Sequence, residues 1–163
     1  MKFKIGTITL IVFSSATLAL AKTHIAGTAE CSAPEQVHVM RLGDQAGHFF
    51  VMSQGKCHWT KPLDIAGTKT QSDEATVTKE VRSNQAHVNG YVTETTTSGD
   101  KFSYRIQGEQ VIKHGLTVSE DGHWTIVSGT GKLQGLKGKG TYTGKLQGKN
   151  MVFELKGEYQ TAH

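Results

Sequence analysis

The residues best placed to do chemistry lie on two neighbouring stretches of alternating sequence. From Phe102 onward, Ser103, Arg105, Gln107 and Glu109 share one parity, while Phe102, Tyr104, Ile106 and Ile112 share the other. The stretch before it, Ala86 to Thr96, sets Glu94 and Thr96 on one face and Tyr91, Thr93 and Thr95 on the other. If the polar parity meets water, Arg105, Glu109 and Glu94 form cross-strand pairs worth tenths of a kcal/mol. If the faces exchange roles, as they do in a ligand-holding barrel, Arg105 with Glu109 or Glu94 would anchor a carboxylate or exchange a proton. Phe49, Trp59, Tyr104 and Trp124 are core residues by patterning and pocket lining second. The candidate ligand-binding set is therefore Trp59, Tyr104, Arg105, Glu109 and Trp124.

Other chemistries find little support. Eight histidines are scattered along the chain with no H-E-x-x-H and no i, i+2 pair on one strand face, so no metal site is expected. There is no G-x-S-x-G and no ordered Ser/His/Asp set, so no catalytic residue can be named. Basic residues are not interleaved with aromatics, which argues against a nucleic-acid platform. Residues 128–149 read SGTGKLQGLKGKGTYTGKLQGK, with GKLQG occurring twice. Glycine with lysine suggests a phosphate cradle, but neither G-x-x-x-x-G-K-[ST] nor G-x-G-x-x-G is present and no helix follows. These glycines read instead as bends and close approaches between strands, with Lys132, Lys137, Lys139, Lys145 and Lys149 outward. No cofactor is expected.

The elements that must position these residues are strands. The chain has 163 residues, enough for one domain. Helical periodicity is missing apart from a turn expected near Ser32-Ala33-Pro34-Glu35-Gln36. Strands are expected over 23–30, 37–42, 48–59 with a break at Gly55, 65–70, 75–81, 86–96, 102–112, 123–128, 138–146 and 151–159, with Glu120-Asp121-Gly122 read as a turn. This spacing predicts an all-β fold, a closed antiparallel up-and-down barrel of about eight short strands with little helix. Such a barrel is filled by side chains or holds one small ligand.

Residues 1–21, MKFKIGTITLIVFSSATLALA, have the form of a secretory signal peptide, with cleavage after Ala21. The expected mature chain is 22–163, a single barrel domain, periplasmic or secreted, with no membrane span. Loss of Lys2 and Lys4 with the leader takes the formal net charge from +4 to +2, a weak case for nucleic acid. Export into an oxidising compartment favours a structural disulfide between Cys31 and Cys57 over two free thiols.

The run from Ser128 to Tyr142 resembles the G-T-G-x-x-x-G-x-x-G-x-G-T-Y signature of allene-oxide-cyclase-like and dirigent-like barrels, and the chain is similar to a small exported bacterial member of that group. The resemblance implies an eight-stranded antiparallel barrel. Plant enzymes of the group cyclise or couple hydrophobic substrates and often form trimers, so a homo-oligomer stays open. None of their site residues can be matched onto this chain. A lipocalin-like barrel ranks second, because its G-x-W belongs near the mature N-terminus and Gly122-His123-Trp124 comes late. Two classes of function survive: a non-enzymatic barrel that binds a small hydrophobic or amphipathic ligand in or at its mouth, and a cyclase- or isomerase-type enzyme. A purely structural or protein-interaction barrel is what remains if the interior is filled. The reading leans away from an enzyme.

Overall fold

A computed structural model describes residues 22–161, so the expected leader lies outside the described residues. Eleven strands follow one another: β1 (Thr23–Cys31), β2 (Gln36–Arg41), β3 (His48–Gly55), β4 (Cys57–Lys61), β5 (Asp64–Ile65), β6 (Thr68–Arg82), β7 (Gln85–Thr96), β8 (Lys101–Lys113), β9 (Leu116–Gly129), β10 (Lys137–Gln147) and β11 (Asn150–Gln160). All pairings are antiparallel, in the order β2-β3-β6-β7-β8-β9-β10-β11-β1-β4, with β5 beside β6. The fold class is the one the alternation predicts.

Closure differs in detail from a plain meander. β3 and β4 are one line of chain interrupted only at Lys56. Its first half pairs with β6 and its second half with β1, so this line joins the two ends of the sheet. Counting β3–β4 as one stave gives eight around the ring, with β2 hanging outside it. The staves are also longer than expected: β6, β8 and β9 have 15, 13 and 14 residues.

Alternation decides what faces inward. Even-numbered residues of β7, β8, β9 and β10 and odd-numbered residues of β1, β4, β6 and β11 supply the interior. One end is plugged by Ile25, Leu63, Ile65, Phe102, Ile126, Leu133 and Leu136. Leu133 comes from a single 3-10 turn, Gly131–Leu133, and Leu136 follows it, so the glycine-rich segment delivers two apolar side chains to the plug. Each such fully buried leucine contributes roughly 1.5–3 kcal/mol.

Two local expectations are corrected. No helical turn forms at 32–36, where the chain bends into β2. Glu120-Asp121-Gly122 is not a turn but the middle of β9, and the chain reverses instead at His114-Gly115, both at positive φ. Gly122 is needed inside the sheet: a Cβ there would stand 2.7 Å from Gly108 Cα and 2.8 Å from the Tyr142 ring. A glycine demanded by a ring reads in sequence like a glycine demanded by a turn.

Cys31 and Cys57 are directly opposed in the β1–β4 ladder and form a disulfide, as expected. With a separation of 26 residues, the loop-entropy account gives about 3.5 kcal/mol.

A Cβ at Gly140 would lie 2.6 Å from Trp124 Cζ2 and 2.7 Å from Gly157 Cα. Gly140→Val should therefore lose about 3 kcal/mol or more through overpacking. Lys137→Gln, at an exposed charge, should change stability by only tenths of a kcal/mol. Thermal melts of the two variants check this; equal melting temperatures would contradict it.

Candidate functional site

The end of the barrel opposite the plug is open. A cavity of about 470 Å³ runs inward from a rim formed by Ser32, Pro34, Lys56, Leu116, Gly148 and Lys149. The Cys31–Cys57 bridge lies in its wall. Apolar walls come from Ala29, Ala75, Val77, Val92, Ile106, Met151, Phe153 and Leu155, and rings from Trp59, Tyr104 and Tyr142. The volume falls within the roughly 300–1,000 Å³ usual for small-molecule sites.

The rings are held by buried acids. Glu94 stands on the inward parity of β7 with Val88 and Val92, and it is completely buried. It is absent from the cavity surface itself: Trp59 Nε1 donates to its Oε2 at 2.9 Å, and Tyr104 Oη lies 3.0 Å from its Oε1. Burial raises the Glu94 carboxyl to about 8, the nearby Asp73 charge adds to this, and the two ring contacts oppose it. Glu94 is thus mostly the neutral acid at pH 7. Asp73 does line the cavity. It accepts the Cys57 backbone N–H at 2.6 Å, and desolvation raises its carboxyl to about 6 against that bond.

Nearer the mouth is a second polar group. Tyr142 donates to Glu120 Oε1 at 2.8 Å, and Gln110 Nε2 donates to Oε2 at 2.6 Å. Thr117 in turn donates to Gln110 Oε1 at 3.1 Å. Burial holds the hydroxyls of both Tyr104 and Tyr142 well above the usual phenol range, so they remain neutral donors. Lys79 lines the same cavity from β6; burial lowers its amine, with the Glu120 charge pulling the other way.

Of the five residues expected from sequence, Trp59 and Tyr104 line the cavity. Trp124 is buried behind them: its ring meets Tyr104 edge-on at 6.1 Å, and its Nε1 donates to the Thr141 carbonyl at 3.2 Å. Arg105 and Glu109 do not enter the site. They occupy the outward parity of β8, both exposed, and Glu109 pairs with His87 on the outer face. The ordinary rule held on this strand, with the apolar parity inside. Asp73, Lys79, Gln110, Glu120 and Tyr142 were missed. The available signal was a polar residue in an otherwise inward row, as Glu120 is with Gly122, Trp124 and Ile126. Among the described residues no group of three or more metal-ligating side chains assembles, and no helix is long and apolar enough to cross a membrane.

No family model and no curated protein matches the chain. Among solved structures it is similar to the pterocarpan synthase dirigent protein GePTS1, with a TM-score of 0.51 over 95% of this chain and 100% of that one. The chain has the dirigent-type barrel fold. At 11% identity the likeness speaks for the fold alone.

Both Asp73 and Glu94 have folded values above their ordinary 3.8 and 4.5, so between about 4 and 8 these two groups hold more protons in the folded barrel than in the unfolded chain. Their contribution to stability is then greatest on the acid side and is lost as pH rises through that window. Glu94→Gln, which mimics the neutral acid, should flatten the decline and stabilise the protein at pH 9 by about 1–3 kcal/mol. Thermal melts of wild type and variant from pH 5 to 9 measure this. A variant with the wild-type slope would refute the burial account of Glu94.

Proposed function

We propose that this chain is an exported binding protein that takes a small hydrophobic or amphipathic molecule into its barrel. The observation that carries the reading is the cavity: about 470 Å³, open at one end, apolar along most of its wall, with a few convergent polar groups. Apolar lining supplies the driving force for a guest, and a small number of fixed polar atoms supplies orientation. The polar atoms here are the Tyr104 hydroxyl, the Asp73 carboxylate and the Lys79 amine. The Cys31–Cys57 disulfide accords with an oxidising compartment.

A second reading, an enzyme of cyclase or isomerase type, draws on one observation: Asp73 lines the cavity with its carboxyl raised to about 6, near the range where an acid–base group works. A bound molecule recovered unchanged separates binding from turnover.

Native mass spectrometry of protein isolated from the export compartment should show a noncovalent small-molecule adduct. A fluorescent hydrophobic probe should enter the delipidated protein and quench the Trp59 emission. Ala75→Trp, which projects a ring into the cavity, should weaken probe uptake at least tenfold while leaving the β-type circular dichroism intact. No adduct, together with probe uptake that Ala75→Trp does not alter, would overturn the proposal.

A further inference from the structure

The strand left outside the ring is an open edge. β2 ends the ladder and has a partner only in β3, so one row of its N–H and C=O groups has no strand beside it. The other end, β4, is not free: it lies against β6, where the Cys57 N–H is taken by the Asp73 carboxylate. All six residues of β2 are exposed. Of the ten exposed large apolar side chains among the described residues, six belong to this hairpin and its turn: Val37, Val39, Met40, Leu42, Phe50 and Met52. They occupy both faces, with Val37 and Val39 on one and Met40, opposite Phe50, on the other. β2 contains no proline, lysine or bulge, the usual devices that keep an edge from pairing.

The sequence around β2 is complementary to itself. In an antiparallel pairing of two copies about a twofold axis at His38, Glu35 stands opposite the partner's Arg41. Val37 then faces the partner's Val39, and Gln36 faces the partner's Met40. The axis repeats each pair, so two ion pairs flank two valine pairs. A shift of the axis to Val39 breaks this: Arg41 then faces the partner's Val37 and has no acid. Glu35 is available for the exchange, since its present contact, Lys56 at 3.3 Å, is a surface pair with both side chains more than half exposed. Two-sided apolar exposure asks for cover on both faces of the strand, which continuation of the sheet by a second strand provides.

We infer that two copies of this chain associate through β2, antiparallel and in the register centred on His38, joining two barrels through one continued sheet. This is an isologous contact, closed at two copies because each barrel has one such edge among its described residues.

Sedimentation of the purified full-length protein over a range of concentrations tests it. Wild type should be a monomer–dimer system. Glu35→Arg and Arg41→Glu each place two like-charged pairs across the axis and should weaken dimerisation about tenfold or more. Mixing the two single variants should restore association as a heterodimer. Across that mixed interface position 35 is basic and position 41 basic on one chain, and both are acidic on the other, so each facing pair is again of opposite charge. The double variant Glu35→Arg/Arg41→Glu should also dimerise, which guards against a single variant that merely folds badly. A monomeric wild type at every concentration would overturn the inference, whether or not the protein then binds vesicles or another protein. So would a trimer, or a dimer indifferent to these charges.

Discussion

The structure depends on a steric arrangement repeated around the barrel wall: an aromatic ring laid over a place where the wall has no side chain. Trp59 lies over Gly27, Tyr142 over Gly108 and Gly122, Trp124 over Gly140 and Gly157, and Phe153 over Gly144. In each case an added Cβ would stand within 3 Å of the aromatic side chain. An eight-stave barrel has just enough interior to be filled by side chains. Rings drawn tight against glycine occupy the wall instead of the axis. The axis is then closed only where Leu63, Ile65, Leu133 and Leu136 plug it, and the rest stays open as the cavity.

The acids complete this arrangement. Glycine gaps fix the face of each ring but not its polar end, and the polar ends of Trp59, Tyr104 and Tyr142 all find carboxyl groups. Burying a carboxyl is unfavourable, which is why Glu94, and Asp73 on the Cys57 N–H, are driven toward their neutral forms. An apolar residue at position 94 would be the simpler choice for stability. With an acid there, the barrel holds ring orientation at the expense of stability at alkaline pH, a local conflict between packing and polar satisfaction.

Much of this was legible in the sequence, because a barrel strand advertises its inner face with period two. The strand around Tyr104 and the final strand from Met151 could be read residue by residue, as could the break near Gly55 and the pairing of Cys31 with Cys57. What could not be read were the features that depend on neighbours across the sheet. Nothing local distinguishes Glu94 facing inward from Glu109 facing outward except parity relative to apolar residues, and Arg105 was placed inside only by supposing that the faces had exchanged. Asp73 and Lys79 share their parity on β6 with Ala75, Val77 and Val81, so they are polar interruptions of an apolar row, and a row interrupted twice by charge reads as solvated until its neighbours are in place. β3 and β7 on either side set that row inward. The glycine-lysine run gave the converse: its turns were anticipated, but that Leu133 and Leu136 would close the barrel end depends on a tertiary contact.

The mouth and the free edge are parts of one piece of chain. Residues 32–35 leave the disulfide-bonded end of β1, and Ser32 and Pro34 form the rim before Gln36 begins β2. On the other side the hairpin returns through β3 to Lys56 and Cys57, again at the rim. The disulfide therefore closes a loop whose base is the cavity mouth and whose far part is the hairpin. The hairpin tip is tied back separately: both ring nitrogens of His48 meet carboxylates, Asp44 at 2.6 Å and Glu80 at 2.9 Å, with Arg82 on the same Glu80 oxygen. A hairpin anchored at base and tip cannot tilt without moving either the rim or this carboxylate–imidazole clamp. The geometry that presents an open strand to the outside is thus mechanically continuous with the geometry that sets the width of the entrance.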